Sequence, residues 1–269
     1  MTVILPNDFT KQYRDLVLCF LEDDRSLAAH EWLDILYAFD LLHNAQLITK
    51  GVQKTFAALY AEWVEARHAD PFIAQLWQMK DLQRESTRLR AIVAQSIVRD
   101  LTRSGLVDPA VPDSRVFLAY CLYWWSSFAR GYAFEAWVLR DLQDSGILIE
   151  AHDLAHPADR FSPYDLRVLD FRGDIKTSTY FLMVARSNTL QHDFYITRLL
   201  GRTMVVMLKD AFWEEIDGDT VFVPLKQVMS VFPRAARVGT RSGELVVLDY
   251  QVWKERVRAK QQEHNHENN

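Results

Sequence analysis

The chain lacks several features that would place it in a specialised class of protein. It has two cysteines, Cys19 and Cys121, whose spacing fits no metal-binding motif, so we expect buried free thiols. The apolar run over 116–125 spans 10 residues, whereas a membrane-spanning helix needs about 20. The first residues contain no basic, small-residue signal peptide. These absences predict a cytoplasmic protein that makes no use of a membrane.

A net positive charge is also missing. The formal net charge is −5, which argues against a protein that coats nucleic acid along its whole surface. The segment 160–209 differs from the rest, since it holds eight Lys or Arg residues and four Asp residues. This local excess predicts a phosphate-binding surface whose affinity falls steeply with salt.

The chain contains enough hydrophobic residues for two domains. Of the 269 residues, 49% are hydrophobic, which suffices for a sizeable core. Apolar residues recur at helical spacing over 1–125, so we expect an all-α domain there that binds substrate or a partner, with a Gly- and Pro-containing linker over 105–112. We assign 126–258 to a second domain of mixed α/β structure, and 259–269 to a disordered polar tail.

A short hairpin carries the most informative residues. Residues 164–169 and 174–181 are rich in β-branched, aromatic and aliphatic side chains, and turn residues separate them. With the turn centred between residues 171 and 172, strand alternation places Asp165, Asp174 and Lys176 on one face. Unpaired buried charges are costly, so this face is either solvated or built to hold a divalent cation.

A second carboxylate-bearing element lies upstream. Glu135 falls at helical spacing with the apolar residues Val138, Leu139 and Leu142, on the stripe expected to face a sheet. Ser145 and Gly146 would end this helix, and residues 147–149 would begin a strand. The expected order is a helix with Glu, a strand, a strand with Asp165, and a strand with Asp-x-Lys.

This order resembles the restriction-endonuclease-like PD-(D/E)xK nucleases, a superfamily with Holliday-junction resolvases, Mrr-type restriction enzymes and RecB-type exonucleases. The similarity covers roughly residues 128–209. It lies in Gly131 to Glu135, Gly146-Ile147, Pro163-Tyr164-Asp165 and Asp174-Ile175-Lys176. Tyr164 separates Pro163 from Asp165, and the hairpin between the two aspartates is short, so Asp170 is an alternative to Asp165 as the ligand.

The resemblance implies an α+β chain in which the helical domain precedes a restriction-endonuclease-like core, a mixed central sheet flanked by helices. It implies that Glu135, Asp165, Asp174 and Lys176 are catalytic. Mg²⁺ or Mn²⁺ would be held by Asp165, Asp174, the Ile175 carbonyl and Glu135, which are hard oxygen donors. Lys176 would orient water or stabilise developing negative charge.

Nucleic-acid contacts are expected just downstream. Ser187 to Thr189 resembles a helix start, and Gln191 and Tyr195 on that helix would match the Gln-x-x-x-Tyr element of RecB-type members. Gln191 and Tyr195, together with Arg172 and Arg198 from the basic segment, are therefore the predicted nucleic-acid-binding residues. A partly buried polar pair would give the same Gln and Tyr spacing.

The sequence therefore predicts a metal-dependent nuclease, acting on DNA in a defence, repair or mobile-element setting. The alternative is a catalytically silent nuclease-like module that binds nucleic acid or a protein. RNA as substrate, endo- or exonucleolytic action, and a homodimer or partner protein engaged through the helical domain are left open by the sequence.

Overall fold

The structure, a computed structural model, divides into two compact units, residues 1–130 and 131–269. It describes residues 2–22, 29–49, 52–108, 110–152, 162–179, 181–184, 190–199, 202–216, 220–240 and 243–267. The boundary between the units falls within helix α6 (Pro112–Asp144). In the part of the chain that the structure describes, no helix is long and apolar enough to cross a membrane.

The first unit combines helices with a small sheet. Its antiparallel strands follow the order β1 (Thr2–Ile4), β2 (Gln46–Thr49) and β3 (Val52–Thr55). Its helices are α1 (Lys11–Glu22), α2 (Ala29–Leu41), α3 (Phe56–Tyr60), α4 (Ala66–Leu76), α5 (Leu82–Arg103) and the first part of α6. The prediction of an all-α domain over 1–125 was therefore wrong. The three strands of the small sheet are too short to give a periodic signal in the sequence.

Aromatic packing fills the core of this unit. Phe39 stacks on Tyr123 with ring centroids 3.9 Å apart, and the buried Trp125 donates a hydrogen bond from Nε1 to the Arg90 carbonyl at 3.3 Å. Trp125 is thus a core residue, as its apolar neighbours in the sequence indicate. Cys121 is buried as expected, whereas Cys19 is partly exposed.

The second unit contains a mixed sheet of eight strands. Their order is β4-β5-β6-β7-β8-β11-β10-β9, with parallel pairing between β6 and β7 and between β9 and β10. The strands are β4 (Glu150–Ala151), β5 (Leu166–Val168), β6 (Phe171–Lys176), β7 (Phe194–Leu199), β8 (Thr203–Leu208), β9 (Val221–Phe222), β10 (Ala236–Thr240) and β11 (Gly243–Asp249). The helices are the end of α6, α7 (Phe181–Val184), α8 (Asp210–Ile216) and α9 (Tyr250–Glu267). The chain is thus of mixed α/β type.

The two faces of this sheet differ along β6. Gly173 faces an aromatic cluster, and a Cβ on this residue would lie 2.1 Å from Phe194 Cζ. Phe194 packs against Phe212 and Trp253, so the ring has no room to retreat. Asp174 and Lys176 alternate with Gly173 and lie on the other face. That face continues across β7 and β8 as a buried apolar layer that includes Tyr195, Val205 and Met207.

Helix α6 ends where the sequence predicts. Gly146 adopts φ +72°, its N–H bonds to the Gln143 carbonyl at 2.9 Å, and the Ile147 N–H bonds to the Leu142 carbonyl at 3.1 Å. This pair of bonds is a Schellman motif, which satisfies carbonyls at the helix end. The strand expected over 147–149 begins later, as β4 at Glu150.

Residues 259–267 form the end of a helix, whereas a disordered tail was expected over 259–269. Helix α9 continues to Glu267. Gln261 is buried, its Oε1 accepts from the Leu148 N–H at 3.0 Å, and its Nε2 donates to the Leu148 carbonyl at 2.8 Å. This tertiary anchor fixes a polar helix whose composition alone predicts disorder.

Candidate active site

The candidate site is built on the hairpin of β5 and β6. Its turn is Leu169-Asp170, with φ values of +48° and +66°, and Val168 pairs with Phe171. Two consecutive left-handed residues define a type I′ turn, which matches the twist of paired strands. The predicted turn centre was wrong by two residues. Because the turn centre moves by an even number of residues, every side chain stays on its predicted face of the sheet. Asp165 and Asp174 therefore still lie on the same face.

Asp165 and Asp174 lie next to each other across this hairpin. The Asp165 N–H donates to the Gly173 carbonyl at 3.0 Å, and Asp165 Oδ2 accepts from the Ile175 N–H at 2.6 Å. Leu166 pairs with Gly173, so Asp165 meets Asp174 as the ladder continues. A turn centred between residues 171 and 172 would have paired Asp165 with Ser178, and the observed register places Asp174 opposite Asp165 instead.

Asp170, the alternative ligand, lies away from this pair. It occupies the turn, its side chain is 89% exposed, and it accepts a hydrogen bond from Arg167 at 2.7 Å. Asp165 is therefore the aspartate that the hairpin brings to Asp174.

Lys176 completes a close ion pair with Asp174. Lys176 Nζ lies 2.6 Å from Asp174 Oδ1, and the Asp174 side chain is 7% exposed. Burial lowers the pKa of Lys176, but Asp174, Asp165 and Glu135 outweigh it and raise the pKa overall. The ammonium group therefore stays charged. Ile175, whose carbonyl is the predicted metal ligand, is buried. It lies between Asp174 and Lys176 in the sequence of β6.

Glu135 joins the same group from helix α6. Burial raises the pKa of Glu135 to about 9, and the negative charges of Asp165 and Asp174 add to the rise, while Lys176 opposes it. Burial likewise raises the pKa of Asp165 to about 7, with Asp174 as the next cause and the Ile175 N–H acting in the opposite direction. The pKa values of Glu135 and Asp165 both respond to Asp174 and to Lys176, so Glu135 lies within electrostatic reach of the three hairpin residues.

The charge of this group suits a divalent cation. Three carboxyl groups face one ammonium, which leaves two negative charges without a partner when all are ionised. Protonation relieves the excess in the metal-free protein, as the raised pKa values indicate. Among the described residues, no three His, Cys, Asp or Glu side chains form a ready-made metal cluster. Carboxylate oxygens are the donors that Mg²⁺ and Mn²⁺ prefer, and Lys176 contacts only Oδ1 of Asp174.

The predicted helix over Gln191 and Tyr195 is absent. Gln191 lies in an exposed loop, and Tyr195 belongs to β7. Tyr195 is buried, stacks on Phe181 at 4.7 Å between ring centroids, and accepts a hydrogen bond from the His192 N–H at 3.1 Å. The prediction of a helical Gln-x-x-x-Tyr element was wrong, and Tyr195 has a core position beside Asp174. Residues 187–189, the proposed helix start, lie outside the described residues.

The two predicted arginine contacts lie on opposite faces of the sheet. Arg172 is exposed on the face of β6 that carries Asp174, and its guanidinium lies 5.5 Å from the Tyr164 ring centroid. Arg198 occupies the opposite face of β7, 4.6 Å from the Phe134 ring centroid. Only Arg172 therefore shares a sheet face with the acidic pair.

His192 is a site residue that the sequence pattern missed. Its Nδ1 lies 3.8 Å from Asp174 Oδ2, and its Nε2 lies 2.7 Å from the Pro163 carbonyl oxygen. Thr197 is fully buried and pairs with Lys176 across β6 and β7, so it lies on the face of Asp174. Neither His192 Nδ1 nor Thr197 Oγ1 has a hydrogen-bond partner among the described residues. No sequence signal marked His192, because the loop before β7 brings it to Asp174.

Comparisons of the chain with protein-family models, curated proteins and solved structures found no match. The site is therefore interpreted from its own geometry and chemistry.

Proposed function

We propose that the second unit is a metal-dependent nuclease that hydrolyses phosphodiester bonds, with DNA as the expected substrate. The observation that carries the proposal is that Asp165, Asp174 and Lys176 meet on one hairpin, with Glu135 of helix α6 within electrostatic reach of them. A purely structural cluster would balance its charges, whereas this one contains more carboxyl groups than its single ammonium can neutralise.

Asp165, Asp174, Glu135 and the Ile175 carbonyl would hold Mg²⁺ or Mn²⁺. When bound, the ion supplies Lewis acidity to the scissile phosphate. The resemblance to PD-(D/E)xK nucleases on the matched motifs supports the same assignment.

The chain's own residues have distinct roles in this proposal. Asp165 Oδ2 accepts a hydrogen bond from the Ile175 N–H at 2.6 Å, which fixes the orientation of the carboxyl group toward Asp174. Lys176 presents a charged ammonium beside Asp174, where it stabilises negative charge that develops on the phosphate and orients the attacking water. Glu135 is protonated in the metal-free site and gives up its proton when positive charge arrives.

The exposed surface near the site offers a cation for the substrate backbone. Arg172 is exposed on the face of β6 that carries Asp174. Its backbone is tied to Asp193, whose Oδ2 accepts from the Arg172 N–H at 2.9 Å. We expect Arg172 to contact a phosphate, which positions the strand without reading its sequence.

The test is a cleavage assay with matched variants. Wild type, Asp174→Ala and Asp170→Ala would be incubated at low salt with linear duplex, closed circular and single-stranded DNA, and with RNA, in Mg²⁺, Mn²⁺ or EDTA. Asp170 is the control because it lies on the same hairpin but is exposed and outside the cluster. We expect metal-dependent cleavage by wild type and Asp170→Ala, and none by Asp174→Ala.

The substrate panel also separates modes of action. Cleavage of the closed circle indicates an endonuclease, whereas degradation of linear DNA alone indicates an exonuclease. Cleavage that persists in Asp174→Ala, or that ignores EDTA, would contradict the proposal. If wild type cleaves no substrate in any metal, the alternative of a silent binding module gains support.

A further inference from the structure

His192 is held beside Asp174 by contacts on several sides. Its Nε2 lies 2.7 Å from the Pro163 carbonyl oxygen, and its N–H donates to the Tyr195 hydroxyl at 3.1 Å. Its ring meets that of Tyr195 edge-on with centroids 5.6 Å apart, and the side chain is 16% exposed. The imidazole orientation is therefore fixed by the protein before any ligand arrives.

These contacts define the protonation of the ring nitrogens. A carbonyl oxygen only accepts hydrogen bonds, so Nε2 carries the hydrogen in the contact with Pro163. In a neutral imidazole, Nδ1 then has a free lone pair. Metal-binding histidines show this arrangement, in which one nitrogen donates to a carbonyl and the other coordinates.

Nδ1 of His192 faces the carboxylate of Asp174 across a gap. Nδ1 is buried with no hydrogen-bond partner among the described residues, and it lies 3.8 Å from Asp174 Oδ2. That distance is too long for a direct hydrogen bond. A cation held between the two atoms would be bound by both of them.

The separation also fits two ligands of one ion. With metal–ligand distances of about 2.2 Å, two ligands of the same ion lie roughly 3 to 4.4 Å apart, depending on the angle between them. The 3.8 Å between His192 Nδ1 and Asp174 Oδ2 falls within this range. Lys176 occupies the other oxygen of Asp174, Oδ1, so Oδ2 is the atom turned toward His192.

We propose that His192 Nδ1 is a nitrogen ligand of the metal ion that Asp174 binds, so that the site is a mixed oxygen and nitrogen centre. The inference rests on the metal site of the proposed function. An imidazole ligand favours transition-metal ions over Mg²⁺, and Mn²⁺ is the one that carboxylates also bind well. The site is therefore selective for Mn²⁺ over Mg²⁺, and His192 is the source of that selectivity.

Pulsed electron paramagnetic resonance of the Mn²⁺-loaded full chain tests this directly. A coordinated imidazole nitrogen gives a nuclear modulation, and labelling histidine with ¹⁵N changes its frequency. We expect this signal in wild type and in His264→Gln, a control on the exposed end of α9. We expect its loss in His192→Gln, whose amide can still donate to the Pro163 carbonyl.

The result does not depend on activity. A histidine signal that is absent from the folded wild type, or that persists in His192→Gln, overturns the inference. The wild-type measurement stands alone if the variant fails to fold. If the histidine signal is present but the protein cleaves nothing, His192 is still a metal ligand and the nuclease proposal fails. If the protein cleaves DNA but shows no histidine signal, the nuclease proposal stands and His192 is not a ligand.

Calorimetry gives the matching affinity readout. His192→Gln is expected to weaken Mn²⁺ binding by about tenfold or more, and to change Mg²⁺ binding by less than about threefold. Equal losses for the two ions would overturn the role of His192 in selectivity.

Discussion

Two lysine–aspartate pairs in the second unit have the same geometry and different surroundings. Lys254 Nζ lies 2.6 Å from Asp141 Oδ2, and Lys176 Nζ lies 2.6 Å from Asp174 Oδ1. The first pair is completed by Ser145 Oγ, 3.0 Å from the ammonium, and by the Tyr250 hydroxyl, which donates to Asp141 at 2.9 Å. One cation meets one anion, and each also has a neutral hydrogen-bond partner.

The second pair has an excess of acid. Asp165 and Glu135 add two further carboxyl groups, and both have raised pKa values. His192 Nδ1 and Thr197 Oγ1 lie at this site without hydrogen-bond partners among the described residues. The distance within an ion pair is therefore a poor guide to its role. The two pairs differ in charge balance, and this difference is a reason to propose that the second pair binds a ligand.

Stability should show the largest contrast between the pairs. Asp141→Ala leaves the buried Lys254 ammonium without its anion, and we expect the free energy of unfolding to fall by about 3–5 kcal/mol. Asp174→Ala removes repulsion from Asp165 and leaves Lys176 near two carboxyl groups, so we expect a loss below about 1 kcal/mol. Urea denaturation in EDTA measures both. Equal losses would show that the comparison is wrong.

Cleavage should show the opposite contrast along a single helix. Glu135 and Asp141 are both on α6. We expect Glu135→Gln to lower the cleavage rate about a hundredfold or more, which corresponds to about 2.7 kcal/mol. Asp141→Asn, assayed at a temperature where it is folded, should cleave at the wild-type rate. A rate loss confined to Asp141→Asn would reverse the assignment of the two pairs.

Metal binding should stabilise the protein through the acidic pair. At a free Mn²⁺ concentration about 30 times the dissociation constant, we expect the free energy of unfolding to rise by about 2 kcal/mol. Thermal denaturation measures the shift, which should vanish in Asp174→Ala and persist in Asp170→Ala. A shift of equal size in Asp174→Ala would place the metal elsewhere.

The stability of the metal-free protein should also depend on pH. Glu135 and Asp165 have higher pKa values in the folded protein, about 9 and about 7, than their ordinary values of 4.5 and 3.8. The folded state therefore binds more protons, and the stabilisation present below pH 4 is lost as pH rises through 7 and 9.

We expect urea denaturation in EDTA to give a lower free energy of unfolding at pH 9 than at pH 6. Glu135→Gln should lose most of the decrease above pH 7. A wild-type protein that becomes more stable over this interval would contradict the raised pKa values.

Local patterns predicted part of this site. Alternation along β6 placed Asp174 and Lys176 on one face, and this survived a misplaced turn because the shift was even. The Leu169-Asp170 turn lacks the glycine or asparagine that usually marks a type I′ turn, which explains the error. Helical spacing placed Glu135 on α6, and Gly146 marked the end of that helix.

Other features depended on tertiary structure. The i, i+4 spacing of Gln191 and Tyr195 suggested a helix, although the run Phe194 to Leu199 carries β-forming residues and pairs with β6 as a parallel strand. Gln261 anchors α9 to Leu148, 113 residues away along the chain. Contacts between residues so far apart in the sequence leave no local periodicity. The contact of His192 with Asp174 also depends on the fold and leaves no pattern in the sequence.

The most direct test of the central claim measures Mn²⁺ binding and DNA cleavage on the same two variants. Asp174→Ala removes a ligand, so it should lose both binding by calorimetry and cleavage in a single-turnover assay. Lys176→Met keeps the carboxyl groups, so we expect it to bind Mn²⁺ and to cleave at least about a hundredfold more slowly. Lys176→Met that cleaves like wild type, or Asp174→Ala that still binds Mn²⁺, would contradict the account of this site as a nuclease centre.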